Sequence, residues 1–242
     1  FDPGLGFVRR RGINHYYATF GVHPAVDRFG LQEINPYVMI DYFTNLESVL
    51  ETRSAQGGLG FTFEDRSRSN LTYKHLFERL FEPFRVSRSD LVIGVGDYET
   101  HEVALSHSTN PSRVFSGNVS VSHGGYFNGT QTSYGVGGVW RPSPHVAFDL
   151  TFTRSEIALP GEELVADLAR LQLSLNPTTE LLMTAFVQYN SLMDAVVSNV
   201  RLRFIHAPLS DLYLVYSEQR DVRGDLRTQQ SLTLKATRLL AF

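Results

Sequence analysis

Apolar and polar residues alternate along many short segments of this sequence. In one such segment, four apolar residues interleave with four small or polar ones: Val146, Phe148, Leu150 and Phe152 with Ala147, Asp149, Thr151 and Thr153. Segments 115–122, 170–175 and 199–204 repeat the pattern. Because successive side chains of a strand point to opposite faces, a period of two predicts strands with one apolar face and one polar face. The chain is therefore predicted to be all-β.

Alternation and turn signals together divide the chain into strands. They predict about thirteen of them, near residues 12–23, 31–45, 55–64, 69–83, 96–108, 113–123, 129–141, 144–156, 164–176, 180–190, 194–206, 211–219 and 228–242. Strands of this number and pattern are typical of a bacterial β-barrel, and single-chain bacterial barrels normally have an even number of strands. If the chain forms such a barrel, either the stretch 2–10 pairs as a further strand, or the barrel has strands upstream of this segment.

The predicted connections fall into two classes. Tight turns with Pro or Asn are expected at 109–112, 141–144, 176–179 and 207–210. Longer connections are expected between them, at 123–129, 156–163, 190–194 and 219–227. Outer-membrane barrels have short periplasmic turns and longer outer loops. The alternation therefore predicts that the C-terminal strand runs down to the periplasm.

Composition narrows the class of protein. The 242 residues carry a net charge of −3. The chain therefore lacks the excess of basic residues that is typical of nucleic-acid-binding proteins. With no cysteine, the chain has no disulfide, Cys-based zinc site or thiol nucleophile. No segment approaches the roughly 18 apolar residues of a membrane helix, and the mean hydropathy is −0.15. A membrane β-barrel needs neither a long apolar run nor a high mean hydropathy, because only alternate residues of its strands face lipid.

The C-terminal segment suggests an outer-membrane barrel, and because such a barrel must be exported, the N-terminus is interpreted accordingly. The last residue, Phe242, closes a partly alternating segment, which is common where outer-membrane barrels end. Through this strand we expect contact with the barrel-assembly machinery. The chain begins FDPGLGF without Met, so we interpret it as a mature segment or as the C-terminal part of a larger barrel protein.

The polar faces of the predicted strands supply the candidate functional residues. Eight of them are expected to line the interior of a barrel: Asn118, Ser120, Asp149, Thr151, Gln172, Asn199, Arg201 and Arg203. Arg201 and Arg203 could favour anions in a lumen. Alternatively, they pair with acids on neighbouring strands and fill the interior.

No motif predicts catalysis, a cofactor or a metal. The histidines have no HExxH spacing, and GVGGVW lacks the Lys-Ser/Thr of a phosphate loop. Ser, His and Asp are present, but no pattern marks a triad. Trp140, Tyr134, Tyr189 and Tyr216 lie near predicted strand ends, which favours an aromatic girdle at a lipid interface over sugar stacking by a soluble sandwich.

Five segments resemble one known family. They are FDPGLGFVRRRG, LFERLFEPF at 76–84, GGYFNG at 124–129, QYNS at 188–191 followed by SNVRL at 198–202, and DLYLVY at 211–216. Together they resemble the C-terminal region of the DUF5916 family of outer-membrane proteins of Gram-negative bacteria. Members typically add an N-terminal sandwich resembling a family 9 carbohydrate-binding module. The resemblance implies a location but no activity and no catalytic residue.

The sequence therefore predicts one transmembrane antiparallel up-and-down β-barrel of about 12–14 strands over residues 1–242, in the bacterial outer membrane. The predicted partners are outer-membrane lipid and lipopolysaccharide. The predicted function is porin-like or transport-associated passage of small solutes, with saccharides as candidates. The alternatives are a barrel hydrolase of lipase or protease type, a structural or surface-binding barrel, and a soluble β-sandwich binding module.

Overall fold

The computed structural model describes residues 12–85, 92–222 and 228–239, and this part of the chain is all-β. Its strands are β1 (Ile13–Gly21), β2 (Ala25–Arg28), β3 (Leu31–Asn45), β4 (Leu50–Phe63), β5 (Arg68–Leu80), β6 (Phe84–Arg85), β7 (Val92–Ile93), β8 (Gly96–Ser108), β9 (Phe115–Tyr126), β10 (Gly129–Ser143), β11 (Val146–Leu159), β12 (Glu162–Leu175), β13 (Leu181–Asn190), β14 (Ala195–Ala207), β15 (Ser210–Asp221) and β16 (Gln229–Thr237). Within these ranges no helix is long and apolar enough to cross a membrane.

The strands follow one another in an antiparallel sheet of 14 strands. The order is β1-β3-β4-β5-β8-β9-β10-β11-β12-β13-β14-β15-β16, with β2 paired to β3, while β6 and β7 form a separate two-stranded sheet. All thirteen predicted strands are present close to their expected positions, and β2, β6 and β7 are additional. The predicted fold class is thus confirmed as all-β and antiparallel. The transmembrane barrel and the single domain stay predictions.

The predicted alternation of tight and longer connections is wrong. Two of the expected longer connections are two-residue turns, formed by Phe127–Asn128 and by Pro160–Gly161. Gly161 has φ +91°, which suits the third position of a turn with Pro before it. The expected tight turn at 109–112 lies instead within a six-residue connection between β8 and β9. Connection length therefore does not support the predicted orientation.

Close backbone approach explains why the strands run on through segments that the sequence predicts to be loops. A Cβ atom at Gly124 would lie 2.3 Å from the carbonyl oxygen of His101, and one at Gly129 would lie 2.0 Å from that of Ala158. Glycine at these two positions lets neighbouring strands come together and extend the ladder. The same glycines suggest a loop when only the sequence is considered.

Two sequence predictions lie outside the described residues. The possible strand at 2–10 is one, and the terminal Phe242 is the other. Strand β16 ends at Thr237, and just beyond it the backbone N–H of Leu239 donates to Ser210 Oγ at 3.0 Å. This bond ties the end of the described chain to the start of β15.

The chain divides into two compact units. Unit 1 comprises residues 1–107, 121–132 and 157–163, and unit 2 comprises residues 108–120, 133–156 and 164–242. Residues directly opposite each other on paired strands lie on the same face of the sheet. Because apolar and polar residues alternate along most strands, each unit has one mainly apolar and one mainly polar sheet face.

The apolar face of unit 1 is exposed. One row of opposite residues runs Phe20, Val38, Gly57 and Tyr73, and the next runs Ala18, Ile40, Ala55 and His75. The row after these includes Arg53 beside Tyr42 and Phe77, so the face is mainly rather than wholly apolar. Phe20 is 69% exposed and Val38 is 54% exposed. Within the described part of unit 1 the buried apolar side chains are Phe77, Ile93, Ile157 and Leu159. They do not form a core that covers this face.

The apolar face of unit 2 is also exposed. Two successive rows consist almost wholly of apolar residues: Leu175, Met183, Leu202, Leu214 and Leu234, then Leu173, Ala185, Val200, Tyr216 and Leu232. Leu232 and Leu234 are 70% and 66% exposed. Trp140 stacks on Phe148 with their ring centroids 5.3 Å apart, and both border an apolar depression that also includes Phe115 and Phe152. No second layer of unit 2 covers these described residues.

Candidate functional site

The eight predicted interior residues all belong to unit 2, and four of them share a face on strands β12 to β14. Gln172 lies opposite Phe186, which lies opposite Asn199. Arg201 and Arg203 follow Asn199 at alternate positions of β14, so their side chains point to the same side.

Asp149 and Thr151 of β11 are joined to that face by hydrogen bonds. Arg170 Nη2 donates to Asp149 Oδ1 at 3.3 Å, and Arg170 alternates with Gln172 along β12. Thr151 Oγ1 donates to Asp149 Oδ1 at 3.4 Å. These contacts place Asp149 and Thr151 on the face that carries Gln172.

Asn118 and Ser120 of β9 reach the same face over two glycines of β10. A Cβ atom at Gly137 would lie 2.5 Å from Asn118 Oδ1, and one at Gly135 would lie 2.4 Å from Ser120 Oγ. Ser133, at the next alternate position of β10, hydrogen-bonds Ser155 of β11 at 2.8 Å between their Oγ atoms. All eight residues therefore lie on one surface, which we call the polar face of unit 2.

Arg203 is engaged by a neighbouring acid. Its Nε and Nη2 atoms donate to Asp211 Oδ2 at 3.1 and 2.8 Å, and its guanidinium carbon lies 5.3 Å from the ring centroid of Tyr213. Tyr213 is its direct register partner on β15. Of the two alternatives that the sequence leaves open, pairing with an acid is the one observed for Arg203.

Arg201 differs from Arg203. It lies opposite Thr184 on β13 and Val215 on β15, and it is exposed. Among the described residues it makes no hydrogen bond or ion pair. Its register partners explain this, because neither of them carries a charge.

Lys235 is a further cation on this surface, and sequence reasoning missed it. It lies on β16 opposite Tyr213, so it shares a face with Arg203. It is exposed and has no ion-pair partner within the described residues. Its alternation with Ser231, Thr233 and Thr237 was the available signal.

The polar face of unit 1 contains a hydrogen-bonded tyrosine that no sequence pattern indicated. Gln56 Nε2 and Asn70 Nδ2 donate to the Tyr37 hydroxyl at 3.0 and 3.4 Å, and Thr72 Oγ1 lies 3.4 Å from it. A Cβ atom at Gly58 would lie 2.4 Å from the Tyr37 ring. The ring therefore lies flat across the backbone of β4, where only glycine leaves room.

Several histidines have polar partners, but the described residues include no triad. Ser69 Oγ lies 2.9 Å from His107 Nδ1, whereas His15 pairs with Asp41, and His23 Nδ1 lies 2.8 Å from Glu33 Oε1. None of these histidines contacts both a hydroxyl and a carboxylate in the described part of the chain. No group of three His, Cys, Asp or Glu side chains there could hold a metal ion.

Comparisons with known proteins leave the family open: no family model, no curated protein and no solved structure matches this chain. The resemblance to DUF5916 therefore stays a prediction from sequence.

Proposed function

We propose that this chain is part or all of an outer-membrane β-barrel whose polar face in unit 2 borders an aqueous passage for small hydrophilic solutes, saccharides among them. In this proposal the apolar faces contact outer-membrane lipid and lipopolysaccharide. The C-terminal segment, whose last residue is Phe242, contacts the barrel-assembly machinery. Membership of the DUF5916 family belongs to the same proposal and rests on the five sequence segments alone.

One observation carries the proposal: in each unit the apolar sheet face is exposed and the opposite face is polar. Soluble monomers rarely expose a contiguous apolar patch of more than a few hundred Å². A lipid environment removes this cost, and paired strands satisfy the backbone hydrogen bonds that lipid cannot.

The extent of the apolar face supports a membrane-spanning role. On β14 the apolar positions run from Val196 to Phe204, interrupted by Ser198, and the β15 partners of Val196 and Ser198 are Arg220 and Glu218, so charged residues border one end of this run. Eight residue steps of about 3.3 Å extend roughly 26 Å along the strand. The apolar band of outer-membrane barrels is about 25 Å tall.

A barrel hydrolase is the second candidate, and the hydrogen-bonded Ser69 and His107 favour it. A hydrolase of this kind would need a carboxylate to orient the histidine. The described residues supply none at His107, so passage remains the better-supported function.

The test is to fold the full chain into detergent and into lipid vesicles and then record heat-dependent gel mobility and planar-bilayer conductance. Heat-modifiable mobility with discrete conductance steps is the expected result. A folded chain that never conducts would contradict passage and leave the hydrolytic or structural role, which ester and peptide substrates then distinguish. A chain that folds as a monomer without lipid or detergent would contradict the membrane proposal itself.

A further inference from the structure

Some basic side chains on the polar face of unit 2 have an acidic partner, and others have none within the described residues. Arg170 is paired with Asp149, and Arg203 is paired with Asp211. Arg201 and Lys235 lie on the same face and have no ionic partner within the described residues. Arg141, which alternates with Gly137 along β10, instead donates from Nη1 to the carbonyl oxygen of Pro111 at 3.1 Å. Arg201 and Lys235 are thus the two neighbouring cations left for a solute.

Arg201 and Lys235 are close enough to act on one small molecule. Arg201 lies opposite Val215, Lys235 lies opposite Tyr213, and these two partners are alternate residues of β15. Two strand spacings of about 4.8 Å and a two-residue offset of about 7 Å place the two Cα atoms roughly 12 Å apart. Both side chains are long and flexible, so their charged groups can converge above β15.

The Arg203–Asp211 pair keeps the second cation available. Asp211 is diagonal to Lys235 across β15 and β16, a separation that long side chains can bridge. Arg203 donates two hydrogen bonds to Asp211 Oδ2 and balances the charge of that carboxylate, which weakens its attraction for Lys235. Arg203 is therefore a positioning residue for Lys235.

We propose that Arg201 and Lys235 form an anion-selecting pair, and that the favoured solute is a small organic anion carrying a carboxylate or a phosphate. An arginine fork matches the paired oxygens of these groups, and lysine adds a point charge. The inference rests on the proposed passage and specifies its substrate class.

The test measures reversal potentials of the reconstituted protein in a KCl gradient. The wild-type protein is expected to prefer chloride over potassium. Arg201→Gln and Lys235→Gln should each reduce this preference several-fold. The double variant that carries both substitutions should lose it. The matched control replaces Arg154→Gln together with Asp167→Asn, an ion pair at 2.8 Å whose arginine alternates with Phe152 along β11 and therefore lies on the opposite face of the sheet. This control removes a pair without changing net charge and should retain the preference. Normal conductance with unchanged selectivity in the double variant would overturn the proposal.

Solute uptake into vesicles provides the second measurement. Gluconate and glucose 6-phosphate should enter faster than glucose through wild type and no faster through the double variant. Preference for only one of the two anions identifies the carboxylate or the phosphate as the recognised group. Equal entry of all three solutes through wild type would count against the pair.

A folded protein that does not conduct would contradict the proposed passage of solutes. Anion binding by Arg201 and Lys235 can still be tested in such a protein. Calorimetric titration of detergent-folded protein with inorganic phosphate then decides. Binding that the double variant weakens and the control variant keeps supports the pair. Absence of binding to wild type overturns it.

Discussion

Arg203 and Asp211 are joined across the β14–β15 hairpin by two hydrogen bonds from the guanidinium to the same carboxylate oxygen, 3.1 and 2.8 Å long. Asp211 is 13% exposed at its side chain and Arg203 is 38% exposed. The pair lies on the polar face of unit 2, close to the two-residue turn that joins β14 to β15.

The Arg203–Asp211 pair should be energetically coupled. Arg203→Gln and Asp211→Asn should each lower the urea midpoint of unfolding, while the double variant should lose less than the sum, because neither charge is then left alone. The coupling should weaken in high salt, as expected for a partly exposed pair. Strictly additive midpoints at low salt would show that the contact is not formed.

Gly58 should not tolerate a side chain, because the Tyr37 ring occupies the space that a Cβ atom needs. Gly58→Ala is expected to cost about 1–3 kcal/mol through overpacking. Gly57→Ala is the matched control, since a Cβ atom there meets nothing within 4 Å. The comparison is made by urea unfolding of protein folded in vesicles, and equal effects of the two substitutions would contradict the packing of Tyr37 on Gly58.

Leu171 and Gln172 are consecutive residues of β12 on opposite faces, so they test which face contacts lipid. Leu171 lies one row from the centre of the apolar run, so Leu171→Arg should cost an amount between the about 0–1 kcal/mol of the interface and the about 2–4 kcal/mol of the bilayer midplane. Gln172→Arg should fold almost as wild type does, because its face is polar. Folding yield and urea midpoint in vesicles measure both variants. A greater loss from Gln172→Arg would reverse the assignment of the faces.

Trp140 is the single tryptophan of the chain and borders the apolar depression of unit 2. Its fluorescence should be quenched by lipids brominated on their acyl chains and only weakly by aqueous iodide. A relocated probe, Trp140→Phe with Phe186→Trp, moves the indole to the polar face and should reverse both responses. Strong iodide quenching of the wild type with no effect of bromine would contradict lipid contact at this face.

Much of the candidate surface could be foreseen from alternation alone. Asn118, Asp149 and Asn199 lie on the predicted polar side because a strand turns each successive side chain to the opposite face, whatever its partner strand is. The positions of thirteen strands follow from the same local geometry. Fold class and face therefore depend on the backbone conformation of each segment by itself.

The sequence by itself thus determined which segments are strands and which of their faces are polar. Only the tertiary structure decided the rest, through register. Register put Asp211 within reach of Arg203, gave Arg201 the uncharged partners Thr184 and Val215, and brought Lys235 to the same surface. It also placed Gly124 against His101, which let β9 continue into an expected loop. Such contacts join residues on different strands, and a local pattern of polarity carries no information about which residues lie opposite each other.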